Sequence, residues 1–500
     1  MSDPVPTMPA DSPDESSGFA ARVRSAVAWR WGTQVIAQII TWASTILVVR
    51  LLVPSDYGLF AMTQVVLTAL AFLNGQSFAT SLVQAERIDE RRIGQVFALL
   101  LMLAVTLALT QFLIAPYAAA YFGEPLVERM LHIQAVIFLT VPFTALPSEL
   151  LARRLEFRRQ GQVNMLAAVI GATTALILAW FDFGVWALVY APITMFVSRA
   201  IGLSIAARLL VKPVFDLRGA GDLVTFGGTL TLCQLFWIIQ SQSDIVIAGR
   251  TMDTHDLGLY SEALFLTLIV TGKFLPPINE VALAAYSELN RARRSIAPYF
   301  LKTARTVMLV VTPIYVGLSL VAEPAILTLF GEKWAEMTPI VQGLALAMPF
   351  FALHLICSPA TNAMGQPRIY LATSVAGAII MPTVFLWGAA NGAMGLVHAW
   401  WIAAPLLLTF SLSLTLPRIG VGSGELAREL LPIVLACAAM ALAVSLSRSM
   451  FPIASPFVDL AANAALGAAI YGAAIWFGWP RLVHDTLSML RRTPSAPVTA

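Results

Sequence analysis

The sequence predicts an all-α polytopic membrane protein with about 14 transmembrane helices, and two observations lead to this fold class. Of the 500 residues, 58% are hydrophobic and only 12% are charged, and the mean hydropathy is +0.78. A soluble domain carries roughly 25% charged residues, so this chain has too little polar surface to face water. Apolar runs of about 20 residues, the length that crosses a bilayer, also follow one another almost from end to end.

Charged residues, glycines and prolines bound the apolar runs and set the limits of each expected span. Residues 1–28, rich in Pro, Ser and Asp at their start, are expected to form a cytoplasmic tail with an amphipathic lead-in. The fourteen expected spans are 29–49, 58–82, 94–115, 129–147, 163–181, 185–207, 223–249, 258–283, 299–322, 337–358, 370–390, 393–415, 430–447 and 457–478.

Lysines and arginines concentrate in every second loop of this plan. Arginine pairs at 91–92, 153–154 and 293–294 all fall on one side of the membrane, and the arginines near both termini fall on the same side. Cytoplasmic loops carry an excess of Lys and Arg. Both termini are therefore predicted to be cytoplasmic, with the chain in the inner membrane.

The sequence contains an internal repeat, in which residues 50–61 resemble residues 250–261. The first copy reads Arg-Leu-Leu-Val-Pro-Ser-Asp-Tyr-Gly-Leu-Phe-Ala, and the second reads Arg-Thr-Met-Asp-Thr-His-Asp-Leu-Gly-Leu-Tyr-Ser. Arg, Asp, Gly and Leu recur at the same offsets, and an aromatic residue follows Leu in both copies. Six spans separate the copies, so both halves enter the membrane in the same direction. The sequence thus predicts two six-helix halves around a central cleft, followed by two extra helices and a cytoplasmic tail. The expected limits are 29–218, 219–416 and 417–500.

These motifs carry a resemblance to a known family. Residues 50–60 resemble the first-loop signature of Wzx-type polysaccharide flippases, and residues 244–261 resemble their second-half signature. These flippases belong to the multidrug/oligosaccharidyl-lipid/polysaccharide exporter superfamily. The resemblance, over roughly residues 25–420, implies that the chain translocates undecaprenyl-diphosphate-linked oligosaccharide repeat units across the bacterial inner membrane by alternating access. It implies a role in exopolysaccharide, capsule or O-antigen biosynthesis, and a transporter rather than an enzyme.

The strongest candidate for contact with such a cargo is Lys273, which lies well inside the eighth expected span. Polar residues inside spans are costly unless they face a cavity, and an ammonium group suits a diphosphate. Glu262 and Glu280 lie 11 residues before and seven residues after it, spacings that share one face of a continuous helix. Pro276 and Pro277 are expected to break the helix just beyond the lysine. A lysine that only snorkels or pairs with a structural glutamate is the alternative interpretation.

Uncharged polar residues in the first, second and seventh spans are the other candidates for cargo binding, because amides can bond to sugar hydroxyls. Contacts between packed helices are the alternative explanation for them. These residues are Gln34, Gln38, Asn74, Gln76, Gln234 and Gln240. Asp244 lies one helical turn after Gln240 in the seventh expected span. It is the candidate for taking a coupling H⁺ or Na⁺, with a salt bridge as the alternative.

Two other functions stay open from the sequence. An ion-coupled drug or organic-cation antiporter of the same superfamily would favour acidic residues such as Asp244, Glu262 and Glu280, although Lys273 argues against it. A polysaccharide polymerase or ligase is disfavoured because the outer loops are short. No cofactor, metal site, catalytic residue or nucleic-acid partner is expected, since neither the cysteines nor the histidines have ligand spacing. The expected partners are the lipid-linked oligosaccharide, membrane lipid, H⁺ or Na⁺, and other polysaccharide-assembly proteins.

Overall fold

The fold is available as a computed structural model that describes residues 13–73, 90–154, 156–208, 211–215 and 221–480. Within these ranges, side chains are described except at 13–31, 221–234 and 367. The described residues form helices joined by short turns and contain no strand.

Within the described ranges, eight helices precede residue 221. They are α1 (Pro13–Leu51), α2 (Pro54–Ala71), α3 (Glu90–Phe122), α4 (Pro125–Gln134), α5 (Val136–Leu139), α6 (Val141–Arg153), α7 (Phe157–Trp180) and α8 (Trp186–Ala207).

Ten helices and one 3₁₀ turn follow between residues 221 and 480. They are α9 (Gly221–Thr251), α10 (Thr254–Arg291), α11 (Ala297–Leu320), α12 (Ala322–Leu329), the 3₁₀ turn Glu332–Met337, α13 (Thr338–Leu355), α14 (Cys357–Ala363), α15 (Pro367–Ala389), α16 (Gly392–Ile419), α17 (Ser423–Met450) and α18 (Pro456–Gly478).

Twelve helical segments in the described ranges are long and apolar enough to cross a membrane. Two of them combine consecutive elements, because α4 to α6 form one segment and the 3₁₀ turn, α13 and α14 form another. Helices α2 and α9 are two further long helices, at the positions of the second and seventh expected spans. The prediction of an all-α polytopic membrane protein is therefore confirmed, and the expected number of about fourteen helices agrees with these segments.

The chain divides into two compact units. The first contains residues 1–52, 66–120 and 124–231, and the second contains 53–65, 121–123 and 232–500. In the first unit α7 packs against both α1 and α8. A Cβ atom on Gly161 of α7 would collide with Thr33 of α1, so glycine allows this close approach. The hydroxyl of Ser44 also donates to the carbonyl of Ala172 at 3.2 Å, which ties α1 to α7.

The second unit has its core where α10, α13 and α16 pack together. Its largest fully buried side chains include Trp334, Tyr260, Tyr286 and Tyr315.

Helices α17 and α18 pack on each other, and α17 packs on α11. Arg448 at the end of α17 donates to the carbonyl of Leu320 and forms ion pairs with Glu323 and Asp459. This arginine therefore fixes the last helix pair to the turn between α11 and α12, beside an open cavity of about 310 Å³.

Within the second unit, the two copies of the repeat contact each other where α2 and α10 begin. A Cβ atom on Gly58 would overlap the carbonyl oxygen of Thr254, and one on Gly258 would overlap the carbonyl oxygen of Pro54. The contact is reciprocal between residues 200 positions apart, so it follows a local two-fold relation. Asp253 caps α10 by accepting the N–H of Asp256 at 2.8 Å.

Helix α10 is continuous from Thr254 to Arg291, so the prediction that Pro276 and Pro277 break it was wrong. A proline removes a backbone donor, but a membrane helix can continue through it when neighbouring helices hold both sides. Here α11 contacts the helix before the prolines through Tyr315, and the amide of Asn279 donates to the carbonyl of Leu355 after them, at 3.3 Å.

Candidate functional site

Lys273 lies near the middle of the 38-residue helix α10 and its side chain is exposed. Among the described residues no carboxylate pairs with its ammonium group. A charged side chain at this depth is stable when it faces water or a polar ligand rather than hydrocarbon. Lys273 therefore stays a candidate for contact with an anionic ligand.

Glu262 and Glu280 share the face of α10 that carries Lys273, because the helix is continuous through all three residues. Glu262 is half-buried and Glu280 is exposed. At about 1.5 Å of rise per residue, the backbones of the two glutamates are roughly 16 Å and 10 Å from that of Lys273, too far for a direct ion pair. One face of the helix thus presents an acid, a base and an acid in series.

The hydroxyl of Tyr315, from α11, is inserted into the backbone hydrogen-bond ladder of α10. It accepts the N–H of Thr271 at 3.3 Å and donates to the carbonyl of Thr267 at 2.6 Å. In an uninterrupted helix that N–H and that carbonyl would bond to each other. Tyr315 therefore takes part in the backbone hydrogen bonding of α10 one turn before the two prolines.

The polar residues of α1 belong to the first unit. Gln34 is exposed and Gln38 is half-buried. The hydroxyls of Thr41 and Thr45, which continue the same stripe, donate to carbonyls of their own helix at 2.9 Å. Asn74 and Gln76 lie outside the described residues, as does the side chain of Gln234, whose backbone is part of α9.

Gln240 is only 3% exposed and lines a small enclosed chamber of about 40 Å³ among α9 and α13 to α16. Its Nε2 atom has no hydrogen-bond partner among the described residues, and its amide lies on Gly377, where a Cβ atom would collide with it. The ring of His354 bonds to the hydroxyl of Ser411 across the chamber at 2.7 Å. A chamber of this size holds a few water molecules, which would satisfy the amide.

Sequence reasoning missed this chamber, because a lone histidine in an apolar span is most simply a core residue. The signal that could have revealed it is the set of small polar residues at helical spacing on two late helices. Besides His354, the chamber is lined by Thr373 and Ser374 of α15 and by Ser411 and Thr415 of α16.

Asp244 is 1% exposed and takes part in a hydrogen-bond network that joins α9, α10 and α16. Its carboxylate accepts the backbone N–H of Ile245 at 2.8 Å and the hydroxyl of Tyr260 at 3.0 Å. The indole N–H of Trp400 donates to that same hydroxyl at 2.9 Å. The role of Asp244 in taking a coupling H⁺ or Na⁺ stays a prediction.

A family model described as polysaccharide biosynthesis protein matches residues 47–339 of the chain. The succinoglycan biosynthesis transport protein ExoT of Rhizobium meliloti (strain 1021) is 27% identical over 70% of this chain and 71% of its own length. The teichuronic acid biosynthesis protein TuaB of Bacillus subtilis (strain 168) is 25% identical over 54% of this chain and 56% of its own. The lipopolysaccharide biosynthesis protein WzxC of Escherichia coli (strain K12) is 20% identical over 59% and 60%. The chain therefore spans less than two thirds of the last two relatives.

Two solved structures share the fold. The lipid II flippase MurJ, in an inward closed conformation, superposes with a TM-score of 0.73 at 13% identity, over 91% of this chain and 99% of that chain. An inward-facing multidrug resistance MATE family transporter of the MOP superfamily gives a TM-score of 0.60 at 16% identity, over 79% and 98%. At these identities the likeness concerns the fold alone. Together with the relatives, it confirms the resemblance predicted from residues 50–60 and 244–261.

Proposed function

The chain belongs to the polysaccharide biosynthesis protein family, and on that basis we propose that it translocates undecaprenyl-diphosphate-linked oligosaccharide repeat units across the bacterial inner membrane. Transport proceeds by alternating access and leaves the cargo covalently unchanged. Both termini face the cytoplasm, and an H⁺ or Na⁺ gradient drives the cycle, with Asp244 as the candidate ion carrier. The translocated units serve exopolysaccharide, capsule or O-antigen biosynthesis.

The observation that carries the proposal is the exposed Lys273 in the middle of α10. The cargo has an apolar tail that can stay in lipid and a diphosphate that cannot. An ammonium group inside a membrane helix gives that diphosphate a partner, and among the described residues no carboxylate competes for it. A carrier of organic cations would be expected to place a carboxylate in this position instead.

The relatives support the polymer class of the cargo. Their names assign them to the biosynthesis of succinoglycan, teichuronic acid and lipopolysaccharide, three different polymers. A shared carrier lipid with variable sugars accounts for such a spread within one family. The cargo is therefore a lipid-linked oligosaccharide, of a class whose sugars differ from one polymer to the next.

Deletion of the gene in the native host, with complementation by variants, tests the proposal. We expect the deletion strain to lose the surface polymer and to accumulate undecaprenyl-linked repeat units inside the cell. Wild type and Lys302→Ala, a lysine of α11 outside the candidate site, should restore the polymer. Lys273→Ala at normal expression should not, and Lys273→Arg should restore it in part because the charge is kept.

Two results would contradict parts of this proposal. Unchanged polymer and unchanged lipid-linked pools in the deletion strain would overturn the transport function, and increased drug sensitivity in that strain would support the antiporter instead. Full rescue by Lys273→Ala would leave the transport function standing but would remove the lysine from the site.

A further inference from the structure

The two prolines of α10 leave backbone carbonyls next to Lys273 without their helical donors. In an α-helix each carbonyl bonds to the N–H four residues ahead, and in a 3₁₀ turn to the N–H three residues ahead. For the carbonyl of Lys273 these positions are Pro277 and Pro276, neither of which has an N–H. The carbonyl of Gly272 likewise loses its α-helical donor to Pro276. Lys273 therefore combines a cationic side chain with a bare carbonyl oxygen.

This stretch of α10 is open to a ligand. Gly272, Lys273, Pro276 and Pro277 are all exposed, and a Cβ atom on Gly272 would meet nothing within 4 Å. In the described part of the chain no side chain donates to the carbonyl of Gly272 or Lys273. The hydroxyl of Tyr315 bonds to Thr267 and Thr271, one turn earlier, and not to either of these carbonyls. We call the segment 272–277 the diproline notch.

We propose that the diproline notch is a sugar-recognition subsite that distinguishes glycosylated lipid from bare undecaprenyl diphosphate, an inference that rests on the proposed function. A diphosphate is purely an acceptor and can bind the ammonium of Lys273, but it cannot bind a carbonyl oxygen. The first sugar after the diphosphate supplies hydroxyl donors that can. The bare carrier lipid instead brings a charged terminal phosphate to the same place, where it faces the negative end of a carbonyl dipole.

The diproline notch has features that a simple hinge would not need. A hinge would need flexibility but no accessible acceptor, and the insertion of Tyr315 alone would supply it. The second proline strips the carbonyl of Lys273 of its remaining donor, and Gly272 leaves the adjoining surface uncovered. Both features concern access to an acceptor, and they lie on either side of Lys273.

Lipid binding to the purified full-length protein in nanodiscs tests the inference, with undecaprenyl diphosphate and undecaprenyl diphosphate carrying one hexose as the two probes. We expect wild type to bind the hexose-bearing lipid about tenfold more tightly, the effect of one to two hydrogen bonds. Pro277→Ala restores a donor to the carbonyl of Lys273 and should remove most of this preference without weakening binding of the bare lipid. Alanine also favours the helix, so a loss is not explained by misfolding.

Three further variants complete the comparison. Gly272→Leu should reduce the preference by covering the notch while leaving every backbone bond in place. Lys273→Ala should weaken both lipids together. Pro382→Ala, at a proline inside α15, should change neither.

An undiminished preference in Pro277→Ala would overturn the inference, as would an equal loss of both lipids in that variant. Wild type that binds both lipids equally would overturn it while leaving the proposed function intact. Wild type that binds neither lipid would remove the proposed function and the inference together.

Discussion

Tyr260 and Tyr315 are both fully buried, but their hydroxyls have different kinds of hydrogen-bond partner. The hydroxyl of Tyr260 bonds to the side chains of both Asp244 and Trp400. Without that hydroxyl, each of these two side chains loses a hydrogen bond. The hydroxyl of Tyr315 separates a backbone N–H from a carbonyl that could bond to each other directly. Burial alone therefore does not decide what each hydroxyl contributes.

We expect Tyr260→Phe to lower the free energy of unfolding by about 1–3 kcal/mol, because it leaves a buried carboxylate and a buried indole N–H short of a partner. Tyr315→Phe should cost less than about 1 kcal/mol, because Thr271 can bond to Thr267 again. Thermal unfolding in detergent, followed by tryptophan fluorescence, measures both. Tyr299→Phe, at an exposed tyrosine, is the control and should leave the midpoint unchanged. Equal shifts for the two buried tyrosines would contradict this assignment.

The sequence identified Lys273 because a lysine in a long apolar run is visible without any structure. It could not identify Tyr315 or His354, because each acts through a helix that is distant in sequence. It also gave no sign that Gln240 is enclosed, since that follows from Gly377 admitting the amide onto the backbone of α15. Polarity inside a span can thus be read from sequence, whereas whether it faces a chamber or an open surface depends on packing.

Among the helices, the repeat brings α2 and α10 into close contact, which the sequence motif only suggested. The sequence showed that glycine recurs at 58 and 258 and that close packing would follow. The structure shows the partner, because each glycine lies against the carbonyl four residues before the other. The prolines of α10 gave the opposite result, since local propensity predicted a break and the neighbouring helices prevented it.

Substitution of two glycines in the same helix tests the crossing of α2 and α10. Gly258→Ala should destabilise the protein by about 1–3 kcal/mol, because a methyl group would force the two helices apart. Gly272→Ala adds the same methyl group to open space and should be neutral or stabilising by up to about 1 kcal/mol. Thermal unfolding of the purified proteins compares them. A midpoint for Gly258→Ala at or above that of Gly272→Ala would mean that the crossing is not tight.

At the scale of the whole molecule, hydropathy was sufficient for the fold class because each span must satisfy its own backbone in lipid. It was not sufficient for the interruptions inside spans, such as the turns that divide α4, α5 and α6, which leave the apolar run unbroken in sequence. The limits 29–218, 219–416 and 417–500 for the two halves and the last helix pair stay a prediction. The orientation of the chain also stays a prediction, because it depends on the distribution of Lys and Arg rather than on contacts.

Cysteine labelling of two matched loop positions tests the orientation. Asp182 follows α7 and Arg293 follows α10; both are exposed, and both have a positive φ, of 55° and 52°, so substitution strains them alike. Three membrane spans, α8, α9 and α10, separate them, and an odd number places them on opposite sides.

With the arginine-rich loops in the cytoplasm, a membrane-impermeant maleimide should label Asp182→Cys in intact cells and Arg293→Cys only after permeabilisation. Both substitutions are made in a parent protein in which Cys233, Cys357 and Cys437 are replaced by alanine, and this parent should stay unlabelled in both. The reverse pattern would turn the whole chain over in the membrane, and labelling of both positions in intact cells would mean that one of the three helices does not cross.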